Sequence, residues 1–170
     1  MTILETKTRL TSWLVLVSLL LTGCGFHLRG DYGLSERLNP MVIVGVDAFS
    51  PFYRELKNLF ELSGVELTED PESARTLLRI EDESTDRLVT AVDERGKASE
   101  YEMIRGVTFS LRDNASGEEL VSSHTVKAGR VFSDPAGVGF GKQATVSEIR
   151  RQLDDEIANS MARIIAMALR

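Results

Sequence analysis

The chain has 170 residues, 26 acidic against 20 basic, giving a net charge of −6, with 42% hydrophobic residues and one cysteine. That balance argues against general nucleic-acid binding, which leaves a basic footprint, and a single cysteine excludes an intramolecular disulfide. The length suits one domain with its own core, and any anionic lipid would have to be met by a local basic cluster.

Residues 1–23 have the three parts of a secretory signal. Lys7 and Arg9 give a positive start, Trp13 to Leu21 an apolar stretch, and Thr22-Gly23 a small-residue end. The apolar stretch is far short of the ~20 residues that span a bilayer. Cys24 follows directly, as in a bacterial lipobox, where the thiol takes a diacylglycerol, the leader is cleaved and the new amine is acylated. Two or more acyl chains make such an anchor stable. Cys24 is thus predicted to tether the protein to the inner leaflet, and Gly25 in place of aspartate points to the outer membrane. Residues 24–40 are expected to form a lipidated N-terminus and an extended leader, and residues 41–170 a single domain.

Met41 to Val46 is a β-branched apolar run and predicts a first strand. Ser50-Pro51 starts a helix, with serine as cap and proline at the first helical position. Phe52, Leu56, Leu59 and Phe60 share its apolar face, and Gly64 stands where the helix should stop. Val65 to Pro71 is a connector that could open as a strand. Thr76–Ile80 begins a long second strand. The polar stretch Glu81–Asp86 leaves open whether that strand runs on or breaks and resumes over Leu88–Val92. Asp93 to Lys97 is a turn. Beyond it, Tyr101, Met103, Val107, Phe109 and Leu111 alternate with polar residues, so one face of the third strand lies on a core. Arg105 is the only charge on that face. After a turn at Asn114–Gly117 comes a fourth strand, Leu120 to Phe132.

Ser133 to Gln143 reads as a glycine-rich loop, with Thr145 to Glu148 as a capping box opening the last helix. The apolar stripe of that helix runs from Val146 through Ile149, Leu153, Ile157 and Met161 to Ala168, and Arg150–Asp154 and Arg151–Asp155 are expected as ion pairs on its wet side. Strand, helix, three strands and helix, each apolar on one face, have a simple joint solution. It is an α/β (α+β) two-layer sandwich, with two helices packed on one face of a mainly antiparallel four-stranded sheet.

No catalytic constellation emerges, so the chain does not read as an enzyme. The glycine loop departs from a phosphate-binding loop, with Ala136 in place of its first glycine and Gln143 in place of its hydroxyl residue. His124 has no second ligand at metal spacing and reads as a strand-surface residue. The carboxylates Glu81 to Asp86 lack the calcium-loop pattern. No metal and no cofactor are predicted.

Two stretches carry a family resemblance. Cys24-Gly25-Phe26-His27-Leu28-Arg29-Gly30 resembles the mature start of the LptE family of Gram-negative lipopolysaccharide-assembly lipoproteins, and Ala98 to Ile104 resembles its central strand. The order of elements agrees over nearly the whole mature chain. The resemblance implies the same two-layer fold and a non-enzymatic role. It implies a plug and assembly partner within an LptD β-barrel, which delivers lipopolysaccharide to the outer leaflet. It further implies that basic side chains at the hairpin tip and before the last helix contact the phosphorylated glycolipid. Those places hold Arg95 and Lys142. The tip is one residue short of the family pattern around Gly96, so Lys97 is an alternative to Arg95. The competing reading is a generic lipid-anchored periplasmic module with a different envelope partner.

Overall fold

The structure is a computed structural model and describes residues 34–133 and 139–169. The signal, Cys24 and His27 lie outside the described residues.

The elements are α1 (Ser35–Leu38), β1 (Met41–Val44), α2 (Pro51–Leu62), β2 (Thr76–Val92), β3 (Ala98–Asp113), β4 (Glu119–Ser133) and α3 (Gly139–Ala168). The strands lie in sequence order, β1-β2-β3-β4. The β1–β2 pair is parallel and the other two are antiparallel, so the sheet is mixed but mostly antiparallel, as expected. One hydrophobic cluster joins Phe52, Leu56 and Phe60 of α2 to Leu78, Phe109 and Leu111 of the sheet and to Leu153, Ile157 and Met161 of α3. Both long helices therefore cover one face.

Local chemistry explains α2 closely. The Ser50 hydroxyl accepts from the Tyr53 amide at 3.0 Å, and Pro51 takes the first turn. At the other end, the Gly64 amide donates to the Glu61 carbonyl and the Val65 amide to the Phe60 carbonyl, while Val65 is buried. That is the paired stop that a left-handed residue after a helix permits.

Three expectations change, and one open alternative is decided. The end of the leader is not extended: α1 is a helical turn, and Leu34 and Leu38 are buried in the main cluster. Apolar spacing of four residues is enough to place both on one side of a single turn. The second strand does not break at Glu81–Asp86 but runs through it, with register shifts near Ile80/Asp82 and beyond Val89. Hydrogen bonding to β3 holds this polar segment in the sheet although its side chains are largely exposed. The last helix begins at Gly139, so the capping box at Thr145–Glu148 lies inside it. Finally, Asp154 is not on the wet side. It is buried against β3, and Arg151 pairs with Glu148 at 2.6 Å.

The expected connector strand is reduced to one bridge, Met41 to Leu67. With the Met41 amide bonded to Glu66 and the Thr68 amide to Met41, this segment covers the outer edge of β1. The strand β1 pairs only with Thr76–Arg79, so the sheet has four strands near its base and three towards the β2–β3 turn.

Candidate functional site

The β2–β3 turn is folded by Asp93. Its Oδ1 accepts from the amides of Arg95 and Lys97, both at 2.9 Å, while its own amide donates to the Lys97 carbonyl at 2.7 Å. The Gly96 amide donates to the Asp93 carbonyl at 2.9 Å. An aspartate holding two following amides is a compact turn device. It consumes backbone donors and leaves the side chains of Arg95 and Lys97 exposed on one tip. The structure thus brings these two cations together.

Lys142 lies not before the last helix but within the first turns of α3. Because β4 runs back towards the tip end and α3 starts after its last residue, Lys142 belongs to the same end of the molecule by topology.

Just below the tip lies a cluster the sequence reading did not select. The Arg87 guanidinium lies 3.6 Å from the centre of the Tyr101 ring and 5.3 Å from that of Phe132. The two rings stack at 5.8 Å. Their signal was the cross-strand register, in which Arg87 faces Met103 and Tyr101 faces Phe132. Pattern within a single strand cannot supply it. Around them, Leu88, Val89, Val92 and Val131 are each half or more exposed. The tip end therefore presents two cations at its turn, beside the carboxylates of Asp93 and Glu94, and apolar side chains on its flanks, so that phosphate and acyl groups of an anionic amphiphile could both be met there.

The charge singled out on the core face also has its explanation. Arg105 is 8% exposed and ties three elements together. Its Nε donates to Asp154 of α3 at 2.5 Å, and one terminal nitrogen donates to Glu83 of β2 at 2.6 Å. The Phe52 ring of α2 lies 5.1 Å from it. Burial opposes the arginine's charge, but the bond it donates to Glu83 and its two carboxylate neighbours hold its pKa above the ordinary value. Burial raises the Asp154 carboxyl above its ordinary value, with Glu83 adding to that and Arg105 opposing it.

His124 is exposed on β4 and meets Phe109 edge-on at 6.2 Å, as a strand-surface residue. Among the described residues no group of three or more potential ligands could hold a metal ion, and no helix is long and apolar enough to cross a membrane.

A family model described as lipopolysaccharide-assembly, LptE, matches residues 41–169. The chain belongs to the LptE family. It is an envelope lipoprotein of lipopolysaccharide assembly, and not an enzyme. The LPS-assembly lipoprotein LptE of Pectobacterium atrosepticum is 27% identical over 149 residues, covering 87% of this chain and 79% of that one. The LptE of Photorhabdus laumondii is 27% identical over 155 residues, covering 91% and 83%. The fold is shared with the rare lipoprotein B of Shewanella oneidensis (TM-score 0.66, 18% identity, 77% of this chain and 96% of that one). It is shared too with a lipoprotein B from Nitrosomonas europaea (TM-score 0.65, 17% identity, 84% and 90%).

Proposed function

We propose that this LptE-family chain serves as plug and assembly partner of an LptD-type outer-membrane β-barrel, and that it binds lipopolysaccharide directly. In this reading Cys24 is acylated and holds the chain to the inner leaflet of the outer membrane, on the periplasmic side. Arg95 and Lys97 at the tip, with Lys142 at the start of α3, meet the phosphates of the glycolipid. The reading is supported by family membership over residues 41–169. The single structural observation that carries it is the exposed turn, folded by Asp93 at the end of three long strands, that presents Arg95 and Lys97 together. Phosphate prefers charge-assisted donors, each contributing about 1.5–3 kcal/mol.

Affinity purification of the tagged chain from detergent-solubilised outer membranes tests both halves. A large β-barrel should co-purify in about one-to-one ratio, because a partner of this kind engages roughly 20–30 residues a side and survives mild detergent. The R95E/K97E and K142E variants should retain the barrel but recover about tenfold less lipopolysaccharide, the factor that corresponds to the loss of one such contact. Recovery of the chain alone in several mild detergents would overturn the barrel partnership. Undiminished lipopolysaccharide in the charge reversals would overturn the contact residues.

A further inference from the structure

The strand β1 stops at Val44, opposite Arg79, while β2 continues to Val92. Gly45 marks the departure. A side chain there would lie 2.1 Å from the Ile80 carbonyl oxygen, so the backbone turns away in contact with β2. Beyond that point nothing pairs with the outer side of β2 among the described residues. Asp82 to Val89 pair with Thr108 to Tyr101 without a register shift, eight residues of regular strand. In such a strand every second residue turns its amide and carbonyl away from its partner. These residues form an open template in line with β1.

The side chains along this edge define what fits it. On the sheet face away from the helices the strip reads Asp82, Ser84, Asp86, Leu88. The carboxylates of Asp82 and Asp86 have no ion-pair partner among the described residues. Leu88 and Val89 are half exposed, and Phe49, four residues after Gly45, is 89% exposed. The other edge, β4, carries Lys127 on its corresponding strip and has α3 packed over it, features that guard an edge against pairing. A second copy joined through the same β2 edge would set acidic strips against each other, which is unfavourable across strands.

We propose that the β2 edge from Asp82 to Val89 accepts an extended segment of another protein, as an added strand with basic residues at alternate positions facing Asp82 and Asp86 and an apolar residue on its other face beside Val89. Main-chain hydrogen bonds hold such a strand, and the alternating side chains select it. The pairing needs no barrel, so it stands or falls separately from the partnership proposed above.

The test uses the full-length chain, labelled with 15N and purified in mild detergent, and a synthetic decapeptide alternating lysine and valine. With the peptide at about 90% occupancy, every second amide of Asp82–Val89 should exchange with deuterium about tenfold more slowly, since exchange then proceeds only from the free fraction. The same peptide with glutamate in place of lysine should give no protection, and D82K/D86K should abolish it. If that variant fails to fold, D82N/D86N should still weaken the effect. Four results would overturn the proposal. They are amides already protected before peptide is added, protection appearing on β4 instead, equal protection by the glutamate peptide, and sedimentation showing self-association through this edge.

Discussion

Arg105 is the residue on which α3, β2 and β3 converge, and its energetics are lopsided. A buried ion pair adds little net stability over an apolar substitute, yet breaking it strands a charge in the core. Arg105→Met, which leaves Asp154 and Glu83 facing an apolar group, should destabilise the fold by about 3–5 kcal/mol. The R105M/D154L pair should recover much of that loss, and urea unfolding of the two variants measures the difference. Two carboxylates of α3 respond to pH in opposite senses. Glu148, held at about 2 by Arg151 and then Gln152, lies below its ordinary 4.5. Its contribution is present above pH ~4.5 and disappears as the pH falls towards 2. Asp154, whose pKa is raised, contributes below its ordinary value of 3.8 and loses that contribution as the pH rises through its folded value. The difference in urea midpoint between the wild type and Glu148→Gln should therefore shrink between pH 5 and pH 2. Because Glu148 is on the surface, the difference should also shrink in high salt.

At the scale of elements, glycine positions separate construction from decoration. Gly45 combines a φ of +84° with a backbone neighbour where a side chain would stand. Gly96 has a φ of +74° and open space around it. Gly45→Ala should cost well over the ~1–2 kcal/mol of left-handed strain alone, whereas Gly96→Ala should cost about that much and no more. Thermal unfolding of the two variants should rank them in that order. How far the elements could be read beforehand follows from where their signals lie. The limits of α2 were legible because serine, proline and glycine act within a few residues of the ends they mark. The face of β3 was legible because alternation needs no partner. The continuity of β2 through Glu81–Asp86 was not, since hydrogen bonds to Thr108–Ile104 hold it there. Nor was the partner of Arg105, because a spacing of four made Arg150 look like the natural companion of Asp154. Only packing brings residues 49 positions apart within 2.5 Å. At the tip, Arg95 and Lys97 were visible in the turn sequence, while Arg87 over Tyr101 had to await the register.

For the whole molecule, the two ends differ in support. Near the base, β1, the segment after α2 and both helices enclose the sheet. Towards the tip, three strands continue with the β2 edge open, and most β2 residues beyond Ile80 are exposed. Hydrogen exchange on the chain without any partner should accordingly be slow at Leu78, Phe109 and Leu111 and markedly faster from Leu88 to Glu100. Uniform protection along the strands would contradict that gradient. The order of elements along the chain also bears on how the fold is reached. The meander β2–β3–β4 joins neighbours in sequence, so its loops close cheaply. Leu34 and Phe52, by contrast, share their buried cluster with Leu153 and Ile157 of α3, roughly a hundred positions later, and contacts of such separation form slowly. Until α3 arrives, α2 alone covers the apolar face of the sheet. A chain emerging from its N-terminus would therefore hold part of that face bare from the completion of β4 until α3 follows, and it is in this interval that a chaperone would have something to hold.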